Sequence, residues 1–79
     1  MLMGRMARKI NLSSKDRLAL ELIVSSRSEP LRRVERAKMV LSSSAGIPVV
    51  EIAEELETYP NKVAFWRKRY EKLGIVGIE

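Results

Sequence analysis

The absence of cysteine and histidine limits how this chain can be stabilised. Neither residue occurs in its 79 positions, which excludes disulfide bonds and leaves no thiolate or imidazole ligand for a structural zinc ion. It also excludes every catalytic arrangement that pairs a nucleophile with histidine. A chain this short must therefore be held together by one small apolar core. We expect no cofactor, no metal site and no enzymatic activity of its own.

Two helices are predicted in the first half of the chain. The first covers residues 14–26, where Ser13 can cap the N-terminus. Its apolar positions at helical spacing are Leu18, Leu22 and Ile23. The second begins with Pro30 in its first turn and ends near Gly46, which favours a left-handed stop. Its predicted apolar face consists of Leu31, Val34, Ala37, Leu41 and the neighbouring Val40.

Two further helices follow, separated by a short turn. The third covers residues 49–56 and is expected to bury Val49, Ile52, Ala53 and Leu56. A turn at residues 57–60 leads into the fourth, residues 60–73, which Gly74 ends. The predicted core side of this helix consists of Val63, Trp66, Tyr70 and Leu73. The sequence thus predicts an all-α fold of four helices, of which the last two have the layout of a helix-turn-helix.

Charge is distributed unevenly along the chain. The 15 basic and 10 acidic residues give a net charge of +5. Residues 46–60 carry four acidic residues and no basic one, whereas residues 61–72 carry five basic residues and one acidic residue. Clustered basic residues indicate a polyanionic partner, and with a helix-turn-helix we expect that partner to be double-stranded DNA. We expect no membrane partner and no small-molecule substrate, and a cytoplasmic location associated with the nucleoid.

The face of the fourth helix opposite the core carries the candidate DNA-binding residues. Lysine and arginine suit phosphates, asparagine and arginine suit base edges, and an apolar group suits a thymine methyl. A basic arm at residues 1–12, flexible in our interpretation, either enters a minor groove or is a disordered start. The predicted DNA-binding residues are Asn61, Lys62, Phe65, Arg67, Lys68, Arg69 and Lys72, together with Arg5 and Arg8 of the arm.

The segment Val50–Leu56, followed by Asn61–Gly74, resembles the homeodomain-like helix-turn-helix at the front of bacterial insertion-sequence transposases of the mariner superfamily. Residues 34–41 are similar to the preceding helix of that family, and residues 74–78 resemble the start of its linker to the next domain. The resemblance spans residues 13–78. It implies that the last three helices form a homeodomain-like bundle that recognises the terminal inverted repeats of the element. It also implies that Phe65, Lys68, Arg69 and Lys72 face the major groove.

The chain departs from that family pattern in three respects. Glu57 stands where family members usually carry glycine, which predicts a reshaped or strained turn. Pro60 replaces an ordinary residue at the start of the recognition helix and removes a backbone donor. The family's catalytic domain, with its three metal-binding carboxylates, has no counterpart in these 79 residues.

Two other functions fit the same residues. One is a small stand-alone transcriptional regulator that binds DNA as a homodimer. The other is a protein-interaction module in which Phe65 and the apolar residues 75–78 form a docking patch. The predicted helix-turn-helix domain covers residues 13–74. Residues 75–79 form an apolar tail or the start of a linker, and such a tail must fold back on the core or wait for a partner.

Overall fold

The computed structural model describes residues 9–79, so the predicted arm residues Arg5 and Arg8 lie outside the described part of the chain. This part contains four α-helices and a short 3₁₀-helix, and no strand. The all-α prediction is confirmed, and the ends of the α-helices fall within one residue of those predicted. The elements are α1 (Ser14–Ser25), α2 (Leu31–Ser44), α3 (Val49–Glu55), α4 (Pro60–Leu73) and the 3₁₀-helix Gly74–Ile78, called here the C-terminal turn.

Local capping chemistry explains where α1 and α4 begin. The Ser13 hydroxyl accepts a hydrogen bond of 3.0 Å from the backbone N–H of Asp16, which satisfies one of the unpaired donors of the first turn of α1. In α4, Pro60 occupies the first turn, where its fixed φ fits the helix and its missing N–H is no loss. Both helices therefore begin at the residues that Ser13 and Pro60 predicted.

A residue in the left-handed conformation ends both α2 and α3. Gly46 has φ 84° and Glu57 has φ 57°. Beyond each of them a backbone N–H returns to the helix, from Ile47 to the Ser42 carbonyl at 3.2 Å and from Thr58 to the Ala53 carbonyl at 2.8 Å. This is the Schellman arrangement, in which glycine is the usual left-handed residue. The predicted stop at Gly46 is thus observed, and Glu57 adopts the conformation in which glycine is expected.

The buried side chains form two clusters. The larger cluster joins α1, α2, the end of α4 and the C-terminal turn through Ile10, Leu20, Ile23, Val34, Ala37, Val40, Tyr70 and Ile78. The smaller cluster joins α2, α3 and α4 through Met39, Ile52, Ala53 and Val63. Burial of each large apolar side chain contributes about 1.5–3 kcal/mol. The small side chain of Ala53 is buried in the smaller cluster, where α3 packs on α4.

The structure corrects the predicted register of the N-terminal helices. Leu18 and Leu22, expected in the core, are 60% and 61% exposed, whereas Leu20 and Ile23 are buried. Apolar residues lie all around α1, so periodicity did not determine which side packs against α2. Leu31 is also exposed rather than buried, because it stands in the first turn of α2. Leu73, predicted on the core side of α4, is about half exposed.

Both ends of the described chain pack on the larger cluster. Ile10, which falls within the predicted arm, is buried, and its N–H lies 3.5 Å from the Ser43 carbonyl. At the other end Gly74 ends α4, but the chain then turns back and buries Ile78 completely. Of the two arrangements expected for residues 75–79, folding back on the core is the one observed.

Candidate nucleic-acid interface

The turn between α3 and α4 holds α4 with one side in the core and a long face in solvent. Val63 and Tyr70 are buried on the inner side, and Trp66 is half-buried between them. The residues on the outer side are exposed over the whole length of the helix: Asn61, Lys62, Ala64, Phe65, Lys68, Arg69 and Lys72. In the described residues this face is therefore open to solvent, with the C-terminal turn at its edge beside Arg69.

Most of the predicted binding residues come together on this outer face. Phe65, Lys68, Arg69 and Lys72 line one shallow depression together with Leu73. The cations there can bind phosphate oxygens, and the two apolar side chains can contact apolar edges of bases. Asn61 and Lys62 lie one turn nearer the N-terminus of α4 and continue the same face. We call the seven exposed residues of this side the outer face of α4: Asn61, Lys62, Ala64, Phe65, Lys68, Arg69 and Lys72.

Arg67 is the predicted residue that the structure places elsewhere. It is half-buried on the side of α4 that faces the start of α3, where it lines a second depression with Val49, Ala64 and Glu71. Lys68 borders both depressions. The structure therefore separates Arg67 from Phe65 and Lys72, although the three are close in sequence.

Arg69 is exposed, but one of its nitrogens already has a protein partner. Its Nε donates a hydrogen bond of 2.8 Å to the backbone carbonyl of Gly77 in the C-terminal turn. Its guanidinium carbon lies 5.9 Å from the centroid of the Trp66 ring, at the outer limit of a cation–π contact. The side chain is therefore held at the edge of the outer face.

An aromatic and cationic stack lies beneath the outer face. The rings of Phe65 and Trp66 meet edge to face with centroids 4.9 Å apart. On Trp66 lies the guanidinium of Arg36 from α2, 3.9 Å from the ring centroid. Aromatic and cation–π contacts of this kind each contribute about 0.5–1.5 kcal/mol. The stack connects the exposed Phe65 to the body of the domain through α2.

Sequence reasoning placed Tyr70 on the core side of α4 but missed the contact that its hydroxyl makes. The Tyr70 hydroxyl donates a 2.5 Å hydrogen bond to Asp16 Oδ2, which ties α4 to α1. Burial, reinforced by this hydrogen bond, raises the pKa of Tyr70 above its ordinary value. Tyr59 directly precedes the first turn of α4 as its N-cap residue and is 76% exposed.

Residues 9–79 include no group of three acidic side chains placed to hold a metal ion. No helix in this range has the length and apolar character needed to cross a membrane.

The tight pair α3–α4 with a basic outer face defines a helix-turn-helix domain. A model of the homeodomain-like domain matches residues 30–78, which is more than half of the chain. The chain therefore belongs to the family of homeodomain-like domains, whose members are DNA-binding modules and typically non-catalytic. The matched region begins at α2 and includes the C-terminal turn, whereas α1 precedes it. Searches of curated proteins and of solved structures found no match.

Proposed function

We propose that this chain binds double-stranded DNA sequence-specifically, with α4 lying in the major groove. The observation that carries the proposal is the outer face of α4, where Phe65, Lys68, Arg69 and Lys72 line one depression on a helix-turn-helix scaffold. A major groove about 12 Å wide accommodates one α-helix with its side chains. Membership of the homeodomain-like family supports DNA as the ligand.

The residues of the outer face divide by chemistry. Lys62, Lys68 and Lys72 are exposed point charges suited to phosphate oxygens. Asn61 stands in the first turn of α4, where its amide can pair with the N6 and N7 edge of adenine. Phe65 offers its exposed ring to a thymine methyl. Arg67, on the α3 side of the helix, is proposed to contact the backbone there.

The acidic helix α3 supports this orientation of the domain on DNA. Glu51, Glu54 and Glu55 are all exposed on α3. A cluster of carboxylates is repelled by phosphates, so the domain approaches DNA with α4 foremost and the acidic face of α3 turned away. We propose that Arg5 and Arg8 add contacts to the neighbouring minor groove.

We further propose that the target is the terminal repeat of a mobile DNA element. This rests on the resemblance of residues 50–56 and 61–74 to the end-recognition domain of mariner-superfamily transposases. A stand-alone regulator would use the same face as a homodimer on a palindromic operator. Selection from randomised duplexes followed by sequencing separates the two: an asymmetric motif supports element ends, and a palindrome supports the regulator.

A docking role for the C-terminal residues has less support from the fold. Ile78 is completely buried in the larger cluster and Ile75 packs against it. Of the proposed docking patch, only Phe65 and Val76 remain exposed, too little for a stable protein interface.

The decisive experiment is a salt titration of DNA affinity for two double variants that remove equal charge. Lys68→Ala/Lys72→Ala removes two exposed cations from the outer face, and Arg17→Ala/Arg27→Ala removes two exposed cations that precede the matched family region. The slope of log affinity against log salt should decrease by about 0.9 for each phosphate that the protein no longer neutralises. We expect a decrease of about 2 for the first variant and little change for the second.

Two results would contradict the proposal. Equal effects of the two variants would mean that DNA is attracted by net charge alone. An unchanged slope in Lys68→Ala/Lys72→Ala would remove the outer face of α4 from the interface. Arg69 is left out of this pair because its bond to Gly77 would mix a structural effect with the removal of a phosphate-binding charge.

A further inference from the structure

Each residue from Gly77 to Glu79 accepts a hydrogen bond from a different arginine. Arg69 Nε donates to the Gly77 carbonyl at 2.8 Å. Arg36 Nη1 donates to the Ile78 carbonyl at 3.4 Å, and Arg33 Nη2 to Glu79 Oε2 at 3.0 Å. Two of these arginines come from α2 and one from α4, so the C-terminal turn is fastened to both helices.

The Gly77 carbonyl is fixed by packing as well as by these bonds. Ile78 is completely buried beside it, and Gly74 starts the turn with φ 74°. Gly77 itself lies against α4 so closely that an added Cβ would be 2.8 Å from the Arg69 carbonyl oxygen and 3.0 Å from Leu73 Cβ. Glycine is therefore required there to bring its carbonyl within reach of Arg69 Nε.

We propose that the C-terminal turn is a positioning element of the DNA-binding surface, which holds Arg69 ready to contact DNA. The proposal rests on the function proposed above. With Nε–H bonded to Gly77, the two terminal amino groups of the guanidinium remain as a pair of donors that can bind a phosphate or a guanine edge bidentately. A side chain already held in place loses less rotamer freedom when DNA binds.

This role distinguishes Arg69 from the lysines beside it. Lys68 and Lys72 are exposed on the same face, and lysine has no nitrogen equivalent to Nε. A lysine at position 69 would keep the charge but could be held by Gly77 only through its single terminal ammonium, which is also the group that binds DNA. Gly77 and Arg69 thus act as a pair, and their effects on affinity should not be additive.

The positioning can be measured without DNA by NMR of the arginine side chains. We expect the Nε–H signal of Arg69 to show restricted motion in the heteronuclear NOE, and the signal of Arg32, an exposed arginine on α2, to show free motion. Equal mobility of the two signals would overturn the proposal. Because this measurement uses the unmodified chain, it holds even if a substitution in the turn prevents folding.

The consequence for affinity is tested by a double-mutant cycle. Gly77→Ala pushes the turn away from α4 and should weaken DNA binding between about 3- and 30-fold, the range set by the rotamer freedom of one arginine. In an Arg69→Ala background the same substitution should have almost no effect. Val76→Ala is the matched control, because Val76 lies in the same turn but is exposed.

Each outcome of the cycle separates this inference from the proposed function. An equal loss of affinity from Gly77→Ala in both backgrounds would mean that the turn acts through general stability, and the positioning role would be refuted. A restricted Arg69 signal together with no DNA binding by the unmodified chain would refute the proposed function. The bond between Arg69 and Gly77 would then be structural only, and its role in DNA binding would be refuted as well. A mobile Arg69 signal with intact DNA binding would refute the positioning role alone.

Discussion

Replacement of Glu57 by glycine should stabilise this domain, and the reason lies in one backbone angle. Glu57 has φ 57° at the left-handed position that ends α3. The hydrogen bond from the Thr58 N–H to the Ala53 carbonyl, 2.8 Å long, keeps the backbone in this conformation. The helix-turn-helix geometry therefore imposes on a glutamate a conformation that glycine adopts without steric cost.

The size of the effect follows from two opposing terms. A residue with a Cβ pays about 1–2 kcal/mol in the left-handed region. Glycine avoids this cost but loses about 0.5–1 kcal/mol more conformational entropy on folding. At the middle of the two ranges, about 1.5 and 0.75 kcal/mol, the difference favours Glu57→Gly by about 0.75 kcal/mol. For a domain of this size that corresponds to a rise in Tm of about 3–6 °C.

Thermal and urea unfolding followed by far-UV circular dichroism and Trp66 fluorescence would measure this difference. Trp66 is the only tryptophan in the sequence, and because it packs on Arg36 and the smaller cluster its signal reports on how α4 packs against α2 and α3. Glu57→Ala is the control, because alanine keeps the strained φ and removes the same charge; we expect it to stay within about 0.5 kcal/mol of the unmodified chain. The reasoning would be refuted if Glu57→Gly were no more stable than Glu57→Ala.

Four further substitutions test other parts of the fold. Tyr70→Phe should cost about 1–2 kcal/mol at pH 7 because it removes the hydrogen bond to Asp16. Because the pKa of Tyr70 is raised on folding, its contribution is complete below the ordinary tyrosine pKa of about 10 and declines as the pH rises above it. Urea unfolding at pH 7 and at pH 11 should show that decline in the unmodified chain and a smaller one in Tyr70→Phe. Ile78→Ala should cost about 2–5 kcal/mol in the same assay, since Ile78 is completely buried; a cost below 1 kcal/mol would mean that the C-terminal turn is not part of the core. Leu22→Gln should change stability by less than about 0.5 kcal/mol, because Leu22 is exposed, whereas Leu20→Ala should cost about 2–5 kcal/mol. A larger cost for Leu22→Gln than for Leu20→Ala would mean that α1 packs through the side predicted from sequence.

The helix ends were predictable because the signals for them are local. Ser13, Gly46 and Pro60 each act through their own φ or through a neighbour a few residues away. The side on which α1 packs was not predictable, since apolar residues surround that helix and its position depends on a partner far away in sequence. The hydrogen bond between Tyr70 and Asp16 joins residues 54 positions apart, and no pattern within α1 indicates it.

The candidate site shows the same division between local and long-range information. Which residues share the outer face of α4 follows from helical periodicity, and the structure does bring Phe65, Lys68, Arg69 and Lys72 together. The bond of Arg69 to Gly77 depends on the C-terminal turn folding back, and Arg33 reaches Glu79 across 46 residues. The sequence predicted Arg69 as a DNA-binding residue but did not indicate that Arg69 and Arg33 hold the C-terminal turn in place, as they do in the structure.

The folding unit of this protein is larger than the region that its family defines. The matched residues 30–78 contain the whole smaller cluster, which makes the helix-turn-helix. They contain only part of the larger cluster, because Ile10, Leu20 and Ile23 precede them. Because α1 packs mainly on α2, the apolar side of α2 that faces α1 would be open to water without those three side chains. A domain this small has little stability to lose, so α1 must be counted as part of the scaffold that holds α4 with its outer face in solvent.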